Sequence, residues 1–199
     1  QGDARSQYYI GVAFWDGLVE EKNLVRALKW FRLAAERGDR DAQHNLGYAY
    51  WCGEGVKRDK SKSLEWYRLA AEQGDIHAQY NVGCCYLVCP KLQDNRANAL
   101  QWFRRAALNG NAVAQNQLGC MYAYGRGVDK DPVAAVGWFR RAAYQGDTRA
   151  MHNLGYAYAC GIGMNKDIHQ AINWVSRSAD RGYLLSKGLL ALLCLELRM

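Results

Sequence analysis

The sequence predicts an all-α, right-handed α-solenoid of stacked antiparallel helix pairs, and three observations predict it. Gly11, Gly47, Gly83, Gly119 and Gly155 recur at an interval of 36 residues without an insertion. Trp30, Trp66, Trp102, Trp138 and Trp174 keep the same interval. Within each interval apolar residues fall at helical spacing twice, once before and once after a short connection. A period of this length marks a repeat architecture, in which one helix pair cannot bury its apolar face alone and stacked neighbours can.

Residues 39–74 show the plan of the unit. From Asp41 to Trp51, Ala42, Leu46, Ala49 and Tyr50 form one apolar stripe, the mark of a first amphipathic helix. Gly53 and Gly55 end that helix and recur as Gly125 with Gly127 and Gly161 with Gly163. Asp59 stands where an N-cap belongs, and Asn95, Asp131 and Asp167 fill the equivalent place. Leu64, Tyr67, Leu69, Ala70 and Ala71, with Trp66 beside them, then form a second helix that stops at Gly74. Units of this kind cover 3–38, 39–74, 75–110, 111–146 and 147–182, and a terminal helix occupies 183–199, so that 1–199 reads as a single repeat domain. The glycine inside each first helix costs about 1 kcal/mol relative to alanine. Its recurrence predicts a close approach of two helices at that point.

Composition agrees with a folded chain. Hydrophobic residues make up 50% of the 199 and charged residues 23%, the wrong balance for disorder. A formal charge of +7 admits acidic proteins, nucleic acid or an anionic surface as partners without choosing among them. No uninterrupted apolar run is long enough to span a membrane, and the first residues lack a signal-like apolar core. The chain opens at the junction normally reached after a completed second helix, which reads as the edge of a longer protein.

With these residues in place, the pattern resembles the Sel1-like repeat family, a relative of the tetratricopeptide repeat. Ala42, Leu46, Gly47, Tyr50, Gly53, Gly55, Val56, Asp59, Trp66, Tyr67, Ala70, Ala71 and Gly74 fulfil its pattern, with Ser63 at an expected alanine. The same pattern runs through Ala114 to Gly146 and Ala150 to Gly182. The resemblance implies stacked helical hairpins that bind other proteins as adaptors or scaffolds, in a family with many bacterial members. Two places depart from the pattern: Cys89, Pro90 and Lys91 replace the loop glycines of the third unit, and Val19 replaces one in the first.

Chemistry-bearing residues are sparse. The 7 cysteines form no repeated pair and no CxxC, so reduced, mostly buried thiols are expected, favouring a reducing compartment such as the cytoplasm; a secreted or periplasmic location stays open. The 4 histidines complete no zinc spacing, and the glycine loops lack the Gly-Lys-Ser/Thr ending of a phosphate cradle. No metal or cofactor is expected, and the chain reads as a non-enzyme. His44 and His152 share one unit position and read as structural or groove residues.

A binding surface is expected along the first helices. Gln43, Asn45, Tyr48, Gln79, Asn81, Gln115, Gln117, Tyr122, Tyr124 and Tyr156 are its candidate groove residues, amides for a peptide backbone and phenols for rigid contact area. The partner is then a protein or peptide, and the function that of an adaptor or scaffold; a regulatory subunit of an enzyme complex is the alternative. A ladder of Arg32, Arg68, Arg104 and Arg140 on the second helices leaves a basic nucleic-acid surface ranked below these. Leu184, Leu185 and the run from Leu189 to Leu195 are expected to pack mainly on the fifth unit, with a residual patch for a homodimer.

Overall fold

The structure, a computed structural model, describes residues 3–18, 21–88 and 95–196. They gather into two compact units, Gln1–Trp102 and Phe103–Met199. The first holds α1 (Ala4–Asp16), α2 (Leu24–Glu36), α3 (Arg40–Cys52), α4 (Lys60–Glu72) and α5 (Ile76–Val88). Helix α6 (Asn95–Leu108) runs across the division. The second unit continues with α7 (Ala112–Tyr124), α8 (Pro132–Tyr144), α9 (Thr148–Cys160), α10 (Ile168–Asp180) and α11 (Leu184–Glu196). The two loop departures at Val19 and at Cys89, Pro90 and Lys91 lie outside the described residues.

Helix limits follow from capping. The side chains of Asp39, Asp59, Asn111, Asp131, Asp147 and Asp167 each accept a backbone N–H of the helix they precede, satisfying donors that have no partner inside the helix. Gly53 ends α3 in the left-handed conformation, φ 81°, and its N–H bonds to the Ala49 carbonyl. Gly74 ends α4 likewise at φ 91°, where the N–H groups of Gly74 and Asp75 reach the Ala71 and Ala70 carbonyls. A side chain at either φ would be strained, which is why glycine marks both boundaries.

Inside each compact unit, alanines and aromatics alternate across the helix contacts. In the first, Ala27, Phe31 and Ala34 of α2 pack with Ala42, Leu46 and Ala49 of α3, and Trp66 of α4 lies against this cluster. Leu64, Tyr67 and Ala70 of α4 then pack with Ala78, Val82 and Cys85 of α5, with Trp102 against them. In the second unit Ala135, Phe139 and Ala142 of α8 meet Ala150, Met151 and Leu154 of α9, and the cluster takes in Trp174. Trp30, Trp66, Trp102 and Trp138 are half-buried and Trp174 is buried, and Trp66, Trp102 and Trp174 each lie against the cluster formed with the preceding helix pair. Helix α11 seats Leu193, with Leu189 and Leu190, on Ala171 and Val175 of α10, while Leu184, Leu185, Leu192 and Leu195 face outward. Among the described residues no helix is long and apolar enough to cross a membrane.

All five recurring helix glycines, Gly11, Gly47, Gly83, Gly119 and Gly155, are buried. A Cβ on Gly119 would lie 2.6 Å from Phe139 Cε1 and 3.2 Å from the Ala135 carbonyl oxygen. One on Gly47 would meet the Tyr67 ring at 2.6 Å. Ser63, at the position expected to hold alanine, is fully buried and its Oγ donates to the Gly47 carbonyl at 2.7 Å, stitching α4 to α3 at the same spot. Gly137 of α8 supplies the contrast, because a Cβ there meets nothing within 4 Å.

Replacing Gly119 by leucine lowers the thermal midpoint by several degrees, the consequence of forcing side-chain volume into a packed contact at a cost of about 1–3 kcal/mol or more. Gly119→Ala is milder, since about 1 kcal/mol of helix propensity offsets part of the clash, and Gly137→Ala is stabilising by up to that amount. Scanning calorimetry checks the ordering; an unchanged midpoint in Gly119→Leu removes the close-contact account.

Candidate functional site

The glutamines expected in the groove lie inside the junction between helix pairs. Gln43, Gln79 and Gln115 are buried. Their Nε2 atoms donate to the carbonyls of Ala35, Ala71 and Ala107 at 3.1, 3.2 and 3.0 Å, each near the C-terminal end of the preceding second helix. The other side of the amide is used as well: Gln73 Nε2 donates to Gln43 Oε1 at 2.8 Å and Gln145 Nε2 to Gln115 Oε1 at 2.7 Å. These residues are corrected from groove contacts to brackets that hold a first helix between two second-helix ends, adding a second donor to carbonyls that already accept a turn N–H. Gln79→Ala removes the second donor to the Ala71 carbonyl, which keeps the Gly74 N–H, costs about 0.5–1.5 kcal/mol, and lowers the urea midpoint without removing an exposed contact.

Tyr122 is corrected too. Like Tyr50, it turns toward the preceding second helix, and its hydroxyl accepts from Arg104 Nη2 at 2.6 Å, as Tyr50 accepts from Arg32 at 2.9 Å. Two rungs of the arginine ladder are thereby engaged by tyrosines. Tyr124 is 68% exposed beside Arg126, whose guanidinium lies 5.1 Å from the ring centre, and Gln117 is half-buried on α7.

The remaining candidates gather on the first helices. In the first compact unit, Tyr48, Trp51, Tyr67, Tyr80, Asn81 and Cys84 line a pocket of about 300 Å³ where α3 faces α5 with Tyr67 of α4 between them. Tyr48 is 42% exposed, and Trp15 meets it edge-on with ring centres 6.4 Å apart. Its hydroxyl donates to Glu54 Oε1 at 3.3 Å. The Cys52 thiol beside it and the Glu54 carboxylate push the phenol up to about 12, which keeps it a protonated donor near neutrality. Asn81 is half-buried and its amide makes no hydrogen bond with the described residues. Asn45 lies within bonding reach of the Tyr8 hydroxyl. Trp51 and Tyr80 were not among the expected groove residues. Their signal was present, since Trp51 lies one helical turn beyond Tyr48 and Tyr80 shares the unit position of His44 and His152.

The second compact unit treats the same positions differently. Asn153 Nδ2 donates to Asn116 Oδ1 at 2.9 Å and approaches Cys120 Sγ at 3.7 Å, so the amide is spent between α7 and α9. Tyr156 is 48% exposed, its phenol raised by the Cys160 thiol. The thiols divide accordingly. Cys85 is buried, Cys84 and Cys120 are half-buried with burial pushing them up, and Cys52, Cys160 and Cys194 are exposed. The expectation of mostly buried thiols is corrected for these last three, since Cys52 and Cys160 occupy the open ends of first helices and Cys194 the outward side of α11. Among the described residues no three His, Cys, Asp or Glu side chains come together to hold a metal ion.

His44 and His152 both serve the interior. His44 Nδ1 lies 3.0 Å from Asp75 Oδ2. His152 begins a relay in which Ser178 Oγ donates to the Thr148 carbonyl at 2.7 Å and Ser186 Oγ donates to Ser178 at 2.8 Å. Ser186 is thus left to accept from His152 Nδ1 at 2.9 Å. Burial pushes the His152 imidazole below its ordinary 6.5. The unfolded histidine then takes a proton before the folded one does, so its contribution to stability is complete above about pH 6.5 and falls as pH drops toward the lower folded value. Urea titrations between about pH 7.5 and 5 show this loss in the wild type and a smaller one in His152→Gln, judged against the ordinary histidine range; equal slopes in both refute it.

The chain belongs to the Sel1 repeat family. The family model matches five consecutive blocks, residues 4–39, 40–75, 76–111, 112–147 and 148–183. Among solved structures, the protective antigen c5321 of uropathogenic Escherichia coli, described as displaying an SLR fold, is 34% identical with a TM-score of 0.91 over 98% of this chain. This chain spans 42% of that protein's length. A Sel1 repeat protein from Oxalobacter formigenes is 35% identical with a TM-score of 0.84, covering 92% of this chain and 75% of its own. Cysteine rich protein B of Helicobacter pylori, 22% identical with a TM-score of 0.54 over 69% of this chain and 99% of its own, shares the fold alone. A comparison with the curated proteins finds no match. The fold is an all-α solenoid of stacked antiparallel helix pairs, a class that generally serves as a scaffold for protein–protein interaction.

Proposed function

We propose that this chain is a non-catalytic adaptor or scaffold that takes a peptide or loop of a partner protein on its first-helix surface, anchored at the pocket between α3 and α5. One observation carries the reading. Tyr48, Trp51 and Tyr80 wall a pocket of about 300 Å³ beside Asn81, an amide that no described residue engages. Aromatic walls supply contact area at little conformational cost, and an unengaged amide is the group needed to hydrogen-bond an extended backbone. At the same unit position Asn153 is spent on Asn116, and Asn45 lies within bonding reach of the Tyr8 hydroxyl.

Selection of peptides from a random display library on the folded chain, followed by fluorescence anisotropy, tests the reading. Selected peptides lose at least tenfold in affinity, about 1.4 kcal/mol, with Tyr48→Ala or Asn81→Ala. They lose little with Tyr124→Ala, a phenol of the second compact unit. Peptides that bind all three variants equally, with circular dichroism unchanged, overturn the pocket as anchor.

A further inference from the structure

The other side of α3 carries a second concavity, of about 390 Å³, lined by Tyr50, Val56, Lys57, Arg58, Asp59 and Lys62. Tyr50 leaves the helix about 200° around from Tyr48. It forms the floor at 7% exposure, its hydroxyl bonded by Arg32 and its ring 5.6 Å from the Lys62 ammonium. Val56 completes the apolar base.

The mouth is cationic. Lys57, Arg58 and Lys62 are exposed, and none of them makes an ion pair with a carboxylate of the described residues. Asp59 is the one carboxylate in the lining, and its Oδ1 already accepts the N–H groups of Ser61 and Lys62, both at 3.0 Å. An adjoining concavity that shares Val56 adds Lys29 and Arg32 and one acid, Glu36.

The repeat supplies an internal control. The loops at Gly125 with Gly127 and Gly161 with Gly163 have the same pair of positive-φ glycines as Gly53 with Gly55. They carry Asp129 and Asn165 where Lys57 stands, and Ala134 and Gln170 where Lys62 stands. Only the Arg58 position stays basic, as Lys130 and Lys166. Three cations around one pocket are therefore not a by-product of periodicity.

We propose that this pocket recognises an oxyanion carried on a partner's peptide, a phosphate monoester or a side-chain carboxylate. Guanidinium and ammonium donors not taken up in an ion pair form short, charge-assisted hydrogen bonds to such a group. The apolar floor takes the methylene that carries it. A compact anion fits better than a nucleic-acid strand, because the cations are confined to one loop and the first turn of α4 and Arg32 is held by Tyr50. Exposure of the cations makes the binding salt-sensitive. The site lies away from the Tyr48 pocket and does not depend on the adaptor reading.

An ¹⁵N NMR titration of the whole chain tests it with three probes: acetyl-Gly-Gly-phosphoserine-Gly-Gly-amide, its glutamate counterpart and its serine counterpart. Saturable shifts are expected for amides of 56–62 with an anionic peptide, and none with the serine peptide. The anionic peptide that saturates at the lower concentration identifies the source of the oxyanion. The loops at 128–134 and 164–170 stay unmoved. Lys57→Glu with Arg58→Glu abolishes the response, and Lys57→Gln with Arg58→Gln, the gentler pair, weakens it at least threefold at an unchanged thermal midpoint. The proposal falls if neither anionic peptide saturates by a concentration on the order of 10 mM, if all three loops shift alike, if both double variants respond as wild type, or if a thymidine decanucleotide saturates the same amides at a hundredfold lower concentration.

Discussion

Everything in this chain hangs on a contact between two helices at a point where one of them has no side chain. Phe31 lies where a Cβ of Gly11 would be, Tyr67 takes that place at Gly47 and Phe139 at Gly119, while in the last pair Val175 does so at Gly155. The helices approach closely enough that a ring or a branched methyl group fills the groove of the opposing backbone. Glycine inside a helix is unfavourable by about 1 kcal/mol, and dispersion and burial from the intruding side chain more than offset it. The hydroxyl of Ser63 uses the same proximity, reaching the Gly47 carbonyl without disturbing the packing.

Joining one helix pair to the next is a polar task. The carbonyls near the end of a second helix each accept the N–H of the glycine that follows the helix, and the next first helix brings them a second donor: Gln43 to Ala35, Gln79 to Ala71, Gln115 to Ala107. The last pair abandons the device. Met151 replaces the glutamine, Arg181 reaches the Gly146 carbonyl, and the joint to α11 runs through His152, Ser186 and Ser178. The glutamine bonds and the Ser186–Ser178 bond are buried, which makes them count for more than their surface equivalents.

Positions not consumed by those two tasks differentiate the surface. The amide of Asn153 is tied to Asn116, whereas its equivalent Asn81 borders an aromatic pocket. The loop after α3 and the start of α4 gather Lys57, Arg58 and Lys62, where the counterparts of Lys57 and Lys62 are neutral or acidic and only that of Arg58 stays basic. In a repeat protein, recurring residues make the scaffold and the departures from recurrence make the binding surface.

Period, helix limits and the buried glycines were legible in the sequence, because each has a local or strictly periodic cause. Asp131 before α8 is a cap whatever lies around it, and a glycine that returns every 36 residues inside a helix needs a neighbour that excludes Cβ. The direction of the polar side chains was not legible. Gln43 and Asn45 are two apart on α3 and equally hydrophilic, yet Gln43 bonds to the end of α2 while Asn45 stands beside Tyr8. Tyr48 and Tyr50 likewise part to opposite sides of one helix, one to a pocket with residues of α5 and the other to Arg32 of α2. Hydrophobic spacing by itself determined which stripe of each helix is buried. Which flanking polar groups complete the interior, and which remain for a partner, was decided only when the neighbouring helix ends came within hydrogen-bond reach.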